Sequence, residues 1–181
     1  MQVHREQNRL YLYCVKEGEG YMEYKIRKME CFEYPLLNTF LYEAIFQREE
    51  MNLLPKSVIE EPELKVYIQN FGIEKDDYCF CAEVDGKVIG AVWVRNICGY
   101  GSIDDVTPEL AISLYKKFRG HGIGTKMMEK MIDYLKQRGY TKTSLAVQKD
   151  NYAVKMYLDV GFQIVDENEE EYIMVHDLKC F

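Results

Sequence analysis

Apolar residues recur along this chain with two periods, and the switches between them predict alternating strands and helices. Tyr24 to Met29 alternates apolar and polar side chains, as a half-buried strand does. Leu36, Leu37, Phe40, Leu41, Ala44 and Ile45 then recur at helical spacing and predict a helix over about 34–47. Leu64, Tyr67, Ile68 and Phe71 predict a second helix after Pro62, a residue favoured in a first helical turn. Cys79 to Val84 and Lys87 to Val94 are apolar runs joined by Asp85-Gly86, which suits a type I′ turn and predicts a hairpin. Leu110 to Tyr115 reads as the next strand. Ile123, Met127, Met128, Met131, Ile132 and Leu135 then mark one face of a helix that Gly139 stops. Thr143 to Val147 is strand-like. Asn151 can cap a short helix that Gly161 ends in a left-handed conformation. Phe162 to Val165 and Glu171 to Val175 are strands flanking an acidic loop. The order β-α-α-β-β-β-α-β-α-β-β predicts an α/β fold on a mixed sheet, mostly antiparallel at its start.

Ahead of Tyr24, Leu10 to Val15 reads as a strand and Glu17-Gly18-Glu19-Gly20 as a turn. An ordered extension of the sheet is the expectation, with an edge exchanged in a homodimer as the alternative. Residues 1–23 are accordingly read as an extension and 24–181 as one domain.

Composition narrows the class. The chain has 181 residues, 48% hydrophobic, enough for a full core and against disorder. No apolar run is long enough to span a membrane, and the polar start Met1-Gln2-Val3-His4-Arg5-Glu6 lacks a signal-peptide core. A cytoplasmic protein without a membrane partner is expected. The net charge of −7 argues against nucleic acid as a partner and is compatible with a cationic substrate. Six cysteines, none in a C-x-x-C pair, and three histidines do not suggest a metal site. The thiols are expected reduced, with Cys79 and Cys81 as small core residues on one strand face.

The candidate chemistry lies in Arg119-Gly120-His121-Gly122-Ile123-Gly124-Thr125, between the Leu110–Tyr115 strand and the long helix. A first helical turn carries unpaired amides and the positive end of the helix dipole. Glycines let a phosphate oxygen come close to those amides, and Arg119 adds a charged donor. Lys126 follows Thr125, the reverse of the Walker order, and Gly120, Gly122 and Gly124 are spaced wrongly for a dinucleotide fingerprint. A tight strand-to-helix turn with no ligand is the alternative.

Arg119-x-x-Gly122-x-Gly124 resembles motif A of the GNAT superfamily of N-acetyltransferases. Asn151-x-Ala153-x-x-x-Tyr157-x-x-x-Gly161-Phe162 is similar to its motif B, in the right order and one helix and one strand later. The resemblance runs from about Tyr24 to His176. It implies a GNAT-like sheet, flanked by helices, that splays between the Leu110–Tyr115 and Thr143–Val147 strands to form a cleft. It also implies acetyl-CoA as co-substrate, no metal, and a small-molecule amine or peptide acceptor. The pantetheine arm maps to the backbone of Leu114, Tyr115 and Lys116, with the Leu114 amide on the thioester carbonyl. The family often has proline where Lys116 stands. The pyrophosphate maps to Gly120 and to the amides of Gly122, Ile123, Gly124, Thr125 and Lys126, near Arg119. Asn151 maps to a pantetheine contact, with pure helix capping as its alternative.

The same resemblance places Tyr157 near the sulfur, where a phenol can donate to the departing thiolate; core packing is the alternative. Glu109 opens the strand before motif A, where some relatives carry a carboxylate, and is the candidate general base. Asp104 and Asp105 are weighed beside it, each with a solvated charge as the alternative. The Asp166–Glu171 carboxylates could attract a cationic amine, though a solvated loop accounts for them too. Trp93 is read as core, and His121 is given no catalytic role. An acyl-CoA-binding sensor and an interaction module with a vestigial loop are the non-catalytic alternatives on the same fold.

Overall fold

The computed structural model describes residues 11–17, 20–47 and 53–179. Leu10, Gly18, Glu19 and Cys180, each read above, lie outside the described residues. Eight strands form one sheet: β1 (Tyr11–Glu17), β2 (Gly20–Lys28), β3 (Tyr78–Val84), β4 (Lys87–Arg95), β5 (Glu109–Leu114), β6 (Lys142–Gln148), β7 (Gln163–Glu167) and β8 (Glu171–Asp177). Their spatial order is β1-β2-β3-β4-β5-β6-β8-β7. Every neighbouring pair is antiparallel except β5 and β6, which run parallel and are joined by a helical crossover, as parallel strands require. β1 pairs along its length with β2 as the edge strand of the sheet.

Alternation along β4 assigns the two sheet faces. Val92 and Val94 pack with the apolar stripe of α3 (Ile123–Gln137), while Ala91 and Trp93 pack with α1 (Leu37–Ala44). The buried residues of α3 are Ile123, Met127, Met128, Met131, Ile132 and Leu135, the six picked out by their spacing. Cys79 and Cys81 lie on the α1 face; burial pushes the Cys81 thiol up to about 12 and that of Cys79 well above its usual range. Both are inert fillers rather than nucleophiles. Among the described residues, no helix is long and apolar enough to cross a membrane.

The β3–β4 turn has Asp85 at φ 48° and Gly86 at φ 76°, the two positive angles of a type I′ turn. A Cβ on Gly86 would touch nothing, so its substitution is opposed by backbone conformation alone. Gly86→Ala should destabilise the fold by about 1–2 kcal/mol in a urea titration, with an unchanged m-value.

Both early helices are shorter than their periodicity predicts. Cys31–Leu36 is a 3₁₀ turn containing Pro35, and the α-helix proper starts only at Leu37 and gives way to extended backbone at Ile45. Proline has no N–H to donate to a helical ladder. The segment after Pro62 holds one helical turn, α2 (Pro62–Lys65), and then winds loosely. The physical reason lies in β4. Arg95 donates to the carbonyls of Val66 (2.9 Å) and Gln69 (2.8 Å), and Trp93 Nε1 donates to that of Tyr67 (3.1 Å). Three carbonyls that a longer helix would use are thus taken by buried side chains. Asp77, its side chain fully buried, closes the arrangement with a bidentate pair to Arg95.

Candidate active site

β5 and β6 pair only at Glu109 and Ser144, then separate. The Tyr115 amide donates to Ile89 across β4 (3.0 Å), while the Pro108 carbonyl accepts from Ser144 on the other side (3.1 Å). Alternation therefore turns the backbone groups of Ile112 and Leu114 toward the opening. A cavity of about 850 Å³ lies there, walled by Ile112 and Leu114 of β5, the loop before α3, and Asn151, Met156 and Tyr157 around α4 (Ala153–Asp159). A second cavity of about 480 Å³ adjoins it toward Glu109. Ile112, Asn151 and Tyr157 line both.

The loop at the mouth of the larger cavity is built for an anion. Gly120 and Gly122 have φ near 80° and face open space, and Gly122 is the residue on which α3 starts. The amides of Ile123, Gly124 and Thr125 are the orphan donors of that first turn. Gly120, Gly122, Gly124 and Thr125 line the cavity together with Lys116 and Arg119. Lys116 opens a 3₁₀ turn, Lys116–Phe118, and the strand ends at Leu114.

Three of these positions already hold bonds of their own. The Lys126 amide is not an open donor: it bonds Gly122 O within the helix (3.2 Å), and its ammonium pairs with Glu129 (2.7 Å). The Tyr115 amide is not on the cleft side, because it belongs to the β4 pairing, and its ring packs on Phe40. Arg119 is no free cation at the mouth. Its Nε donates to Leu114 O (2.8 Å) and its Nη2 to the carbonyl (3.1 Å) and carboxylate (2.8 Å) of Glu43. Arg119 thus ties the end of β5 to α1. Ile123 contributes only its amide, since its side chain is fully buried.

Asn151 Oδ1 accepts from the Ala153 amide (2.9 Å), so the capping geometry is present, and the side chain still borders both cavities. Tyr157 is the buried residue of α4, packed edge-on to Phe162, and burial raises its phenol well above the ordinary value.

Glu109 is only 2% exposed. Its Oε1 accepts from the Tyr67 hydroxyl and from the Gly101 amide (2.7 Å), whereas Oε2 has no hydrogen-bond partner. Burial raises its pKa above the usual carboxylate value; Tyr67, Gly101 and the nearby Gly99 amide hold it down, and Glu171 adds to the rise. Tyr67 accepts from the Tyr100 amide (2.8 Å), and burial followed by the Glu109 charge pushes its own phenol far up. The loop between β4 and β5 completes the enclosure. A Cβ on Gly101 would stand 2.5 Å from the Leu145 backbone, so only glycine lets the loop lie this close to β6. Asp104 and Asp105 are exposed, and Asp104 accepts from Val106 and Thr107 in its own loop. Neither lines either of these two cavities. Trp93 is core.

Tyr67, Gly101 and Glu43 were not singled out as site residues by spacing. Tyr67 and Glu43 sit in segments whose pattern reads only as helix. Their partners, Glu109 and Arg119, lie 42 and 76 residues away in sequence.

Known proteins share this arrangement. The Acetyltransferase (GNAT) family model matches residues 41–162. The "probable N-acetyltransferase camello" of Xenopus laevis is 34% identical over 98 residues, covering 53% of this chain and 43% of that protein. The chain therefore matches less than half the length of this relative. Among solved structures, the GNAT domain of S. lividans PAT aligns with a TM-score of 0.65 at 16% identity, covering 93% of this chain and 96% of that one. The PaiA N-acetyltransferase from Thermoplasma acidophilum, solved in complex with coenzyme A, aligns with a TM-score of 0.64 at 19% identity, over 86% and 99%. With a matching family model over two thirds of its length, the chain belongs to the GNAT family of acetyltransferases.

Proposed function

We propose that this protein is an acetyl-CoA-dependent N-acetyltransferase acting on a primary amine. The observation that carries the reading is the junction of the two cavities: a phosphate-competent loop borders one, a buried carboxylate the other, and Tyr157 borders both. Acetyl-CoA, when bound, supplies the acetyl group as a thioester open to direct attack by the amine. The amides of Gly122 to Thr125 hold the pyrophosphate, and Asn151 faces the pantetheine arm. The Leu114 amide, turned to the opening, donates to the carbonyl oxygen as negative charge develops there. Glu109 Oε2 receives the proton that the acceptor ammonium must lose, directly or through one water. Tyr157 donates its phenolic proton to the departing sulfur as the C–S bond breaks, and the second proton, shed by the nitrogen at that point, passes through solvent to restore the phenol.

Release of free thiol from acetyl-CoA with a panel of amines and peptide N-termini tests this. Amine-dependent release is expected. Tight coenzyme A binding with no turnover on any acceptor would mark a sensor, and no binding at all an interaction module. The loop has its own test. A Cβ on Gly124 would lie 3.4 Å from Met156 Sδ and 3.7 Å from Leu114 Cδ1, so a valine there crowds the cavity wall. Gly124→Val should weaken coenzyme A binding by roughly tenfold or more in calorimetry on the folded variant. Unchanged affinity would remove the loop from the cofactor site.

A further inference from the structure

We infer that Tyr67 is a positioning residue for the acetyl transfer: its hydroxyl, held from behind by the loop between β4 and β5, pins the Glu109 carboxylate and leaves Oε2 as the oxygen that takes the proton; this rests on the acetyl-transfer reading above. Hydrogen-bond direction carries the assignment. A backbone N–H can only donate. The Tyr100 amide therefore makes the Tyr67 oxygen its acceptor (2.8 Å), and the single phenolic proton goes to Glu109 Oε1. The Gly101 amide donates to the same Oε1 (2.7 Å). Oε1 thus faces two donors, and a proton placed on it would be opposed to both. Oε2 has no hydrogen-bond partner and can take the proton without displacing one.

Tyr67 is itself fixed at both ends. Its carbonyl accepts from Trp93 Nε1, and Arg95 holds the nearby carbonyls of Val66 and Gln69. The side chain is buried. A residue held at its backbone and at its hydroxyl keeps its partner in one geometry. Gly99 leaves room for the pair. A Cβ there would stand 2.5 Å from Glu109 Oε2 and 2.5 Å from the Tyr67 hydroxyl oxygen, so an alanine would wedge between the two side chains. Burial works against charge on Glu109; the Tyr67 bond, then the Gly101 and Gly99 amides, favour the carboxylate, and Glu171 of β8 opposes it. Tyr67, Tyr100 and Glu171 border the smaller cavity together with Glu109. Burial raises both phenols, so they stay neutral where a carboxyl titrates.

Two variants break the bond by different routes. Tyr67→Phe removes the hydroxyl and keeps the ring, whereas Gly99→Ala keeps every polar group and forces the pair apart. Glu109 is followed directly by carboxyl-carbon NMR on the whole protein labelled at glutamate, as the signal that Glu109→Gln removes. Losing a donor disfavours the charged form, so the titration midpoint should rise by about one unit or more in Tyr67→Phe, and Gly99→Ala should raise it too. With an amine that turns over, the acid limb of kcat/KM should move up with the midpoint. The alkaline plateau should stay within about threefold of the wild type, and coenzyme A affinity should not change. In the Glu109→Gln background, Tyr67→Phe should alter kcat/KM by less than about twofold, because the base it serves is gone. A role in packing alone would lower the rate equally at every pH and in both backgrounds. That result, or a carboxyl midpoint unmoved by Tyr67→Phe, would overturn the inference. If no amine turns over, the acetyl-transfer reading fails, and the carboxyl titration still decides whether Tyr67 pins Glu109.

Discussion

Replacing Glu109 by glutamine should lower kcat/KM by roughly 10²–10⁴-fold while leaving coenzyme A affinity near the wild-type value. Glutamine keeps the Oε1 acceptor for Tyr67 and Gly101, so the loop between β4 and β5 stays in place, and what is lost is the proton acceptor at Oε2. The pH dependence has a definite direction. Burial raises the Glu109 pKa, and the base works only when ionised. The acid limb of the wild-type rate profile should therefore lie above that of an ordinary solvent-exposed glutamate, and the variant should lack it. Stability carries the opposite sign. A carboxyl whose folded pKa exceeds its unfolded value, about 4.3, is neutral in both states at low pH, and its contribution is fully present there. As pH rises through the folded pKa, a charge forms in a buried site and that stability is lost. The wild type should therefore fall in Tm relative to Glu109→Gln as pH increases from about 4. Equal thermal curves for the two proteins across that range, with equal rates, would reduce Glu109 to a structural acceptor for Tyr67 and Gly101.

Tyr157→Phe should lower kcat by about 10²–10⁴-fold with little change in acetyl-CoA affinity. The ring, its edge contact with Phe162 and its place in the wall of both cavities survive in the variant. Only the hydroxyl disappears. Burial pushes the phenol pKa up, so the group is protonated at neutral pH and can donate, and no ionisation of Tyr157 should limit the rate on the alkaline side. An acetyl thioester with a more acidic thiol leaving group should lose much less on the substitution, because a better leaving group needs less help. A variant that turns over at the wild-type rate when chemistry limits would show Tyr157 to be packing only.

Local pattern reached far in this chain wherever one element could satisfy itself. The stripe on α3, the Asp85-Gly86 turn and the glycine loop before Gly124 depend on residues within a few positions of one another. Their conformations follow from side-chain periodicity and from where a Cβ is tolerated. The β5–β6 opening was expected from motif order, and the strand pairing shows it directly at Glu109 and Ser144.

What no local pattern carried were the choices made by partners distant in the chain. The helix after Pro62 stops short because Arg95 and Trp93, almost thirty residues on, take the carbonyls it would need. Arg119 at the cavity wall is paired with Glu43, which lies in a segment that reads only as helix. The backbone of Leu114 faces the opening and that of Tyr115 does not, because the antiparallel register with β4 decides which amides are already used. A carboxylate at the start of a strand is legible as a candidate base. That it is enclosed, bonded at one oxygen and bare at the other depended on Tyr67 and on a glycine pressed against β6. The sequence by itself thus determined the elements and the loop chemistry, since those arise from short-range sterics and burial periodicity. The tertiary structure alone decided which donors remain open and how strongly one glutamate resists ionisation, since hydrogen-bond competition and desolvation belong to the packed neighbourhood rather than to any one segment.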